Sequence, residues 1–243
     1  MDTIVAAEQM AQKDCAVVLV LGGDGTNRAF VRGWRDATLV SLSTGTNNVF
    51  PVMAEATVAG MALGLIAAGT VASRLVATQA KVIDVDIEEA EQDIALIDAV
   101  ITRDAFIGAK ALLDPSQLKE ALLCRAEPAA VGITSLGGLV RPVSDKDDFG
   151  LHLTFAKGGR QLLAPMGPGM FAKVEIGKTR LVKFDQAVKA SGPSVIALDG
   201  ERERVIAPGQ RIEMRISRRG PWVVDLAATL QRAAKQKIFL RTM

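Results

Sequence analysis

Ala16-Val17-Val18-Leu19-Val20-Leu21 runs directly into Gly22-Gly23-Asp24-Gly25-Thr26, and the reading of that junction decides the fold. A continuous apolar, largely β-branched run suits a strand buried on both faces, as in a parallel sheet. The glycine pair ends it. Residues Ile4 to Gln12 read as a helix ahead of it. Phe30 to Trp34 fits a short helix behind it, and Thr38 to Leu42 a second strand. Strand, glycine turn, helix, strand is the grammar of a doubly wound α/β unit.

The turn also carries chemistry. Its three glycines free the backbone for positive φ and let amides approach a ligand closely. A helix beginning near Thr26 to Arg28 adds N–H donors and a partial positive charge suited to phosphate. A carboxylate beside polyphosphate repels it unless a cation mediates or the carboxylate takes a proton. Asp24 in this turn therefore suggests phosphoryl transfer, as a Mg²⁺ partner or as a base toward an attacking hydroxyl. The same residues also describe a tight strand-to-helix turn with Asp24 as N-cap, and the residues alone leave both open. There is no GxxxxGK[ST], so the turn is not a P-loop. GxGxxG fails because Arg28 stands where the last glycine belongs.

Composition narrows the classes. The chain has 243 residues, enough for one large domain or two small ones without staples. Lys plus Arg is 29 against 27 Asp plus Glu, too balanced for a protein built to neutralise a nucleic acid. Aromatics are 4% with no Tyr, which removes stacking platforms for single strands. Cys15 and Cys124 are the only cysteines and His152 the only histidine, one donor short of a structural zinc site. Two thiols make no disulfide scaffold, and a reducing cytoplasm is the expected compartment. Met-Asp-Thr-Ile starts no secretory signal. Ala56 to Ser73 lacks charge, but its glycines and unbelted ends predict a buried helix rather than a membrane span.

The character changes near residue 75. Short β-type runs follow at Leu75–Ala77, Val82–Ile87, Ile94–Ile101, Gly150–Phe155, Val174–Ile176 and Val195–Leu198. Arg211 to Ser217 alternates strictly, a strand with one wet face. Lys157-Gly-Gly-Arg160 and Ala207-Pro-Gly-Gln210 read as turns. The expected layout is an α/β domain over 1–74 and a mostly antiparallel β domain over 75–224, with a helix at Asp114–Leu123. An amphipathic tail helix, Asp225 to Leu240, packs back on the first domain.

Gly22-Gly-Asp-Gly-Thr26 after a buried strand resembles the signature of the ATP-NAD kinase and diacylglycerol/sphingosine kinase superfamily. Ser43-Thr-Gly-Thr-Asn-Asn-Val-Phe-Pro51 resembles its second nucleotide loop. Ala95-Leu-Ile-Asp98 falls where NAD kinases carry Asn-Glu or Asn-Asp, and Asp199-Gly200-Glu201 resembles the DGE turn of the C-terminal domain. The wording STGTNNVFP, AEPAAVGITSLGG, APMGPGM and ALDGERE is most similar to the acetoin catabolism protein X group of ATP-NAD kinase-like proteins.

That resemblance implies a Rossmann-like N-terminal α/β domain, a C-terminal β-sandwich and an active site in the cleft between them. It implies Asp24 and Glu201 as catalytic residues, with Asp24 also the Mg²⁺ contact. It places nucleotide on Gly22, Gly23, Gly25 and Thr26 and on Gly45, Thr46, Asn47 and Asn48, and acceptor on Asp98. An Asn48 amide suits a ribose or base edge; without the first motif, Asn47-Asn48 reads as an Asx-turn pair before Pro51. ATP and NAD are the implied substrates.

Three features depart from the pattern. Ala164-Pro-Met-Gly-Pro-Gly-Met170 stands in the place compared with TPTGSTAY and lacks its hydroxyls and Tyr. The chain starts only about twenty residues before the first motif, so a strand or two and a helix of the family domain are expected to be absent. An edge so exposed is expected to be covered by a homodimer or higher homo-oligomer, or by the rest of a longer natural protein. Cations are not gathered at the motifs; Arg103 and Lys110 are able to reach a phosphate, but nothing in the sequence selects them. Arg202, Arg204, Arg211, Arg215, Arg218 and Arg219 suggest anion binding, but Arg211 and Arg215 alternate with Ile212, Met214 and Ile216 as a solvated strand face, and His152 reads as structural. The leading expectation is a Mg²⁺- and ATP-dependent kinase with NAD as acceptor. A lipid or small-polyol kinase and a non-catalytic nucleotide-binding protein of a catabolic pathway are the alternatives.

Overall fold

The computed structural model describes residues 2–90, 92–103, 114–200 and 202–240, without the side chains of Arg202 and Glu203. It divides into two compact units, residues 1–80 with 219–243 and residues 81–218.

The first unit opens with helix α1 (Asp2–Gln12), strand β1 (Val18–Leu21), helix α2 (Asp24–Gly33) and strand β2 (Thr38–Leu42). Helix α3 (Ala56–Ala67), a 3-10 turn at Ser73–Leu75 and strand β3 (Ala77–Gln79) follow. β1 and β2 pair in parallel, as the apolar runs predict. Glycine at position 33 is required where the helices meet: a Cβ there would stand 2.3 Å from the Ile4 carbonyl of α1.

In the second unit β4 (Val82–Ile87) and β5 (Asp93–Ala95) belong to one sheet, β6 (Asp98–Thr102) and β7 (Leu118–Leu123) to another. Helix α4 (Ile133–Val140) is followed by a long hairpin of β8 (Phe149–Gly167) and β9 (Met170–Lys183). β10 (Val188–Ser191), β11 (Ser194–Leu198), β12 (Arg202–Ile206) and β13 (Arg211–Ser217) complete the unit. β14 (Trp222–Val224) and α5 (Leu226–Lys235) return to the first unit, where the sheet order is β1-β2-β14-β3.

The second unit stacks the sheet β10-β13-β4-β5 on the sheet β12-β11-β6-β7-β8-β9. Ile83, Val85, Ile101, Leu122, Ile196, Leu198, Met214 and Ile216 form the core, each almost fully buried. Burying a side chain of this size is worth about 1.5–3 kcal/mol. A second core under α4 joins Leu136 to Leu123, Leu151, Leu153 and Val174.

Several sequence expectations are corrected. The units part at residues 80/81 and 218/219 rather than at 74/75 and 224/225, because β3 and β14 hydrogen-bond into the first sheet. Asp114–Leu123 is a 3-10 turn (Pro115–Gln117) followed by strand β7, not a helix. Leu, Lys, Glu and Ala favour helix, but pairing on both sides, with β6 and β8, outweighs that preference. α3 buries only Ala59, Ala62 and Ile66 and leaves Val58 and Met61 exposed, so it is not a buried helix. Glu55 caps it by accepting the Val58 N–H, and the Thr57 and Val58 amides hold the Glu55 carboxyl below its usual range. Among the described residues no helix is long and apolar enough to cross a membrane. The tail helix stops at Lys235. Lys157–Arg160 lies inside β8 rather than at its end.

Candidate functional site

Leu21 ends β1 and Asp24 begins α2, so Gly22 and Gly23 alone make the turn. Gly23 is the N-cap and provides no side-chain cap; Asp24 is the first helical residue, so it is not the cap that a purely structural turn would use. Its carboxylate reaches across to the loop after β2. Asp24 Oδ1 accepts N–H bonds from Val49 at 3.1 Å and Phe50 at 2.8 Å, and Oδ2 also meets the Val49 amide at 3.1 Å. Asp24 is half-buried, and an acid in a first helical turn is favoured by the helix dipole.

The two loops are fastened further. Asn27 Nδ2 donates to the Gly23 carbonyl at 2.8 Å, and Ser41 Oγ donates to Asn27 Oδ1 at 2.6 Å. Asn48 Nδ2 donates to Ser43 Oγ at 2.8 Å and to the Gly45 carbonyl at 3.3 Å. Asn48 Oδ1 faces Gly23, where a Cβ would lie 2.7 Å from it. The Asn48 amide N–H groups are therefore employed inside the loop, unlike the ribose or base contact anticipated for them. Thr26 folds back over Gly22, where a Cβ would stand 2.6 Å from the threonine's own. Thr46 and Asn47 are exposed at the loop tip, Thr46 donating to Asn47 Oδ1 at 3.3 Å. Asn27 and Ser41 lie outside the quoted motifs, and only the spatial pairing identifies them.

A second acid performs the same operation in the other unit. Asp199, in the left-handed region at φ 52°, accepts N–H bonds from Leu96, Ile97 and Asp98 at 2.8–3.2 Å. Asp98 is brought beside it, its carbonyl accepting the Asp199 N–H at 3.0 Å, and both residues are buried. Glu201 lies outside the described residues, as does Lys110. Ala164–Met170 forms the tip of the β8–β9 hairpin.

His152 and several arginines of the second unit have structural partners. His152 Nδ1 accepts from Arg180 Nε at 3.2 Å, which makes Nε2 the protonated nitrogen that donates to Glu120 at 2.8 Å. Arg204 pairs at 3.0 Å with Asp93, whose side chain is fully buried. Arg211 and Arg215 are wet, as their alternation suggests, and pair with Glu88 and Glu213. Arg218 binds the loop carbonyls of Asp145, Lys146 and Asp147 and stacks on Phe184. Burial pushes the Cys124 thiol up, out of the reactive range.

Among the described residues no three His, Cys, Asp or Glu side chains converge as a metal cage. Magnesium keeps waters and commonly takes one or two carboxylates plus substrate phosphates. Asp24, a single carboxylate already accepting amides, fits magnesium as the companion of a polyphosphate rather than as a resident ion.

Comparison with known proteins follows the division of the chain. Residues 1–71 match the ATP-NAD kinase N-terminal domain and residues 81–219 the acetoin catabolism protein X C-terminal domain. Acetoin catabolism protein X of Cupriavidus necator is 35% identical over 245 residues, covering 98% of this chain and 68% of that protein. The fold is similar to the crystal structure of yeast NADH kinase complexed with NADH, at a TM-score of 0.56 and 13% identity, covering 97% of this chain and 70% of the other. A weaker likeness, TM-score 0.45 and 13% identity, covers 93% of this chain and 84% of an NAD kinase from Archaeoglobus fulgidus in complex with ATP.

Proposed function

Because the chain belongs to the acetoin catabolism protein X family, we propose that it is a nucleotide-dependent phosphotransferase built on the ATP-NAD kinase plan. The observation that carries the reading is the half-buried Asp24 carboxylate, fixed at the start of α2 by the Val49 and Phe50 amides. It stands where a glycine turn, a helix N-terminus and the second loop meet. The turn and the helix N-terminus suit phosphate oxygens, and exposed Thr46 and Asn47 suit the rest of a nucleotide.

In this reading ATP enters with magnesium, and a substrate hydroxyl attacks the γ-phosphorus. A new oxygen–phosphorus bond forms as the bond to the β,γ-bridging oxygen breaks. The hydroxyl proton passes to Asp24, and ADP leaves with the bridging oxygen. NAD is the proposed acceptor, through an adenosine ribose hydroxyl, with Asp98 toward the acceptor and Glu201 as a second catalytic acid. The likeness to a kinase solved with NADH supports that choice of acceptor.

A non-catalytic nucleotide-binding protein is the second reading. It is favoured by the employment of both Asp24 oxygens on backbone amides and of the Asn48 N–H groups inside their own loop. The test is incubation of the purified protein with ATP, Mg²⁺ and NAD, with NADP⁺ read by a coupled dehydrogenase. Formation of NADP⁺ supports the first reading. ATP binding by calorimetry without turnover of NAD or of any lipid or polyol supports the second.

A further inference from the structure

The β8–β9 ladder shifts register at three places, and at one of them four residues of β8 are left over. Phe155 and Arg160 both stand opposite Ile176, so residues 156–159 bulge out of the ladder. Lys157-Gly158-Gly159 specifies the bulge. Gly158 has φ +78°, and a Cβ on Gly159 would lie 2.5 Å from the Ile176 carbonyl. Glu175 secures it by accepting the Gly158 N–H at 3.1 Å. Bulges of this kind re-aim side chains and gather near functional sites.

Here the bulge carries Lys157 to the wall of a cavity of about 530 Å³. That volume is ordinary for a small-molecule site, roughly 300–1,000 Å³. Arg103 joins it from the end of β6 and Lys173 from β9; among the described residues of the wall Glu175 is the one carboxylate, and Gln161 adds a neutral amide. Arg103 is held by Nη1 to the Ser116 carbonyl at 3.2 Å and by Nη2 to the Phe155 carbonyl at 2.9 Å. Two neutral acceptors orient a guanidinium without cancelling its charge, and they leave N–H donors over. Among the described residues neither lysine meets a carboxylate. The described residues of the wall thus carry a net positive charge around a fixed fork. Asp98 begins β6 and Arg103 follows its end, so the cavity lies about 16 Å from Asp98 along the strand, at ~3.3 Å per residue.

We infer that this cavity is a second binding site that takes a small multivalent oxyanion, a phosphate ester or a polycarboxylate. Arg103 is its fixed bidentate donor, and Lys157 and Lys173 are the adjustable point charges. Nothing in the phosphoryl-transfer reading uses these residues, and the site stands whether or not Asp24 is catalytic.

The test uses the ¹⁵N-labelled full chain at low salt, titrated with pyrophosphate and separately with citrate. Saturable shifts are expected at the Lys157, Gly158 and Lys173 amides. Both lysines are exposed, so the double variant Lys157→Met, Lys173→Met keeps the melting temperature while weakening binding at least about tenfold, two charge-assisted contacts being lost. Glu175→Gln is expected to tighten binding about threefold by removing a like charge. A response to pyrophosphate alone identifies a phosphate ester, and to citrate alone a polycarboxylate; a response to both leaves the shared class standing. Absence of shifts at those amides with either anion overturns the inference, as does equal affinity in the double variant.

Discussion

Asp24 and Asp199 use one device in two settings. Each carboxylate, Asp24 at the start of a helix and Asp199 in a turn, gathers backbone amides from a segment distant in sequence, 25 residues away for Asp24 and about a hundred for Asp199. Asp199 is 7% exposed and takes the amides of three successive residues, which leaves it little beyond holding the β5–β6 connection. Asp24 is half-buried, takes two amides, and stands among glycines at the open end of a helix. The number of amides and the access of solvent separate a carboxylate that knits a core from one that is positioned and still reachable.

Removing each acid is the strongest way to break the comparison. Asp199→Ala strands three buried N–H groups and forces alanine into positive φ. We expect a loss of about 3 kcal/mol or more in chemical denaturation, whereas Asp24→Ala costs about 1 kcal/mol because water replaces the lost acceptor. Equal losses would erase the distinction. Gly23→Ala comes next: its Cβ would meet Asn48 Oδ1 at 2.7 Å and push the loops apart. ATP affinity, read by calorimetry, is expected to fall about tenfold, the equivalent of one lost charge-assisted contact, with the second unit's stability untouched.

The smallest effect concerns Lys81, which donates to the Ser144 and Phe149 carbonyls in the second unit. Burial lowers its pKa to about 8 from the usual 10.5. The unfolded chain then binds more protons between those values, so stability rises as pH climbs through that window. The protein is expected to gain on Lys81→Met as pH rises from about 8 to 10.5 in denaturant titrations. Parallel curves would show that Lys81 ionises as freely folded as unfolded.

The sequence was most legible where one residue pattern met one environment. The run into Gly22 and the alternation of Arg211 to Ser217 announced β1 and β13 because burial on two faces or on one leaves a distinct period. β7 was illegible because its Leu, Ala, Lys and Glu residues favour helix, and only its neighbours make it a strand. The bulge at 156–159 read as a turn, since Gly-Gly looks the same at the end of a strand and within one. In the site, the motif residues Asp24, Gly23 and Asn48 were visible and prove to be neighbours in space. Their fastening was not. Ser41 with Asn27 and Asp199 with Ile97 are contacts across 14 and 102 residues, and local pattern carries no trace of them.

The central claim is that Asp24 is a working carboxylate on a stable scaffold. The measurement that tests it most directly is the rate of ATP-dependent NADP⁺ formation by Asp24→Asn against the parent, at matched folded fraction. Asparagine keeps an oxygen for the Val49 and Phe50 amides but cannot take a proton. The account predicts a fall of at least about a hundredfold, the usual scale for a lost general base, with a melting temperature close to the parent's. An Asp24→Asn protein as active as the parent would contradict it.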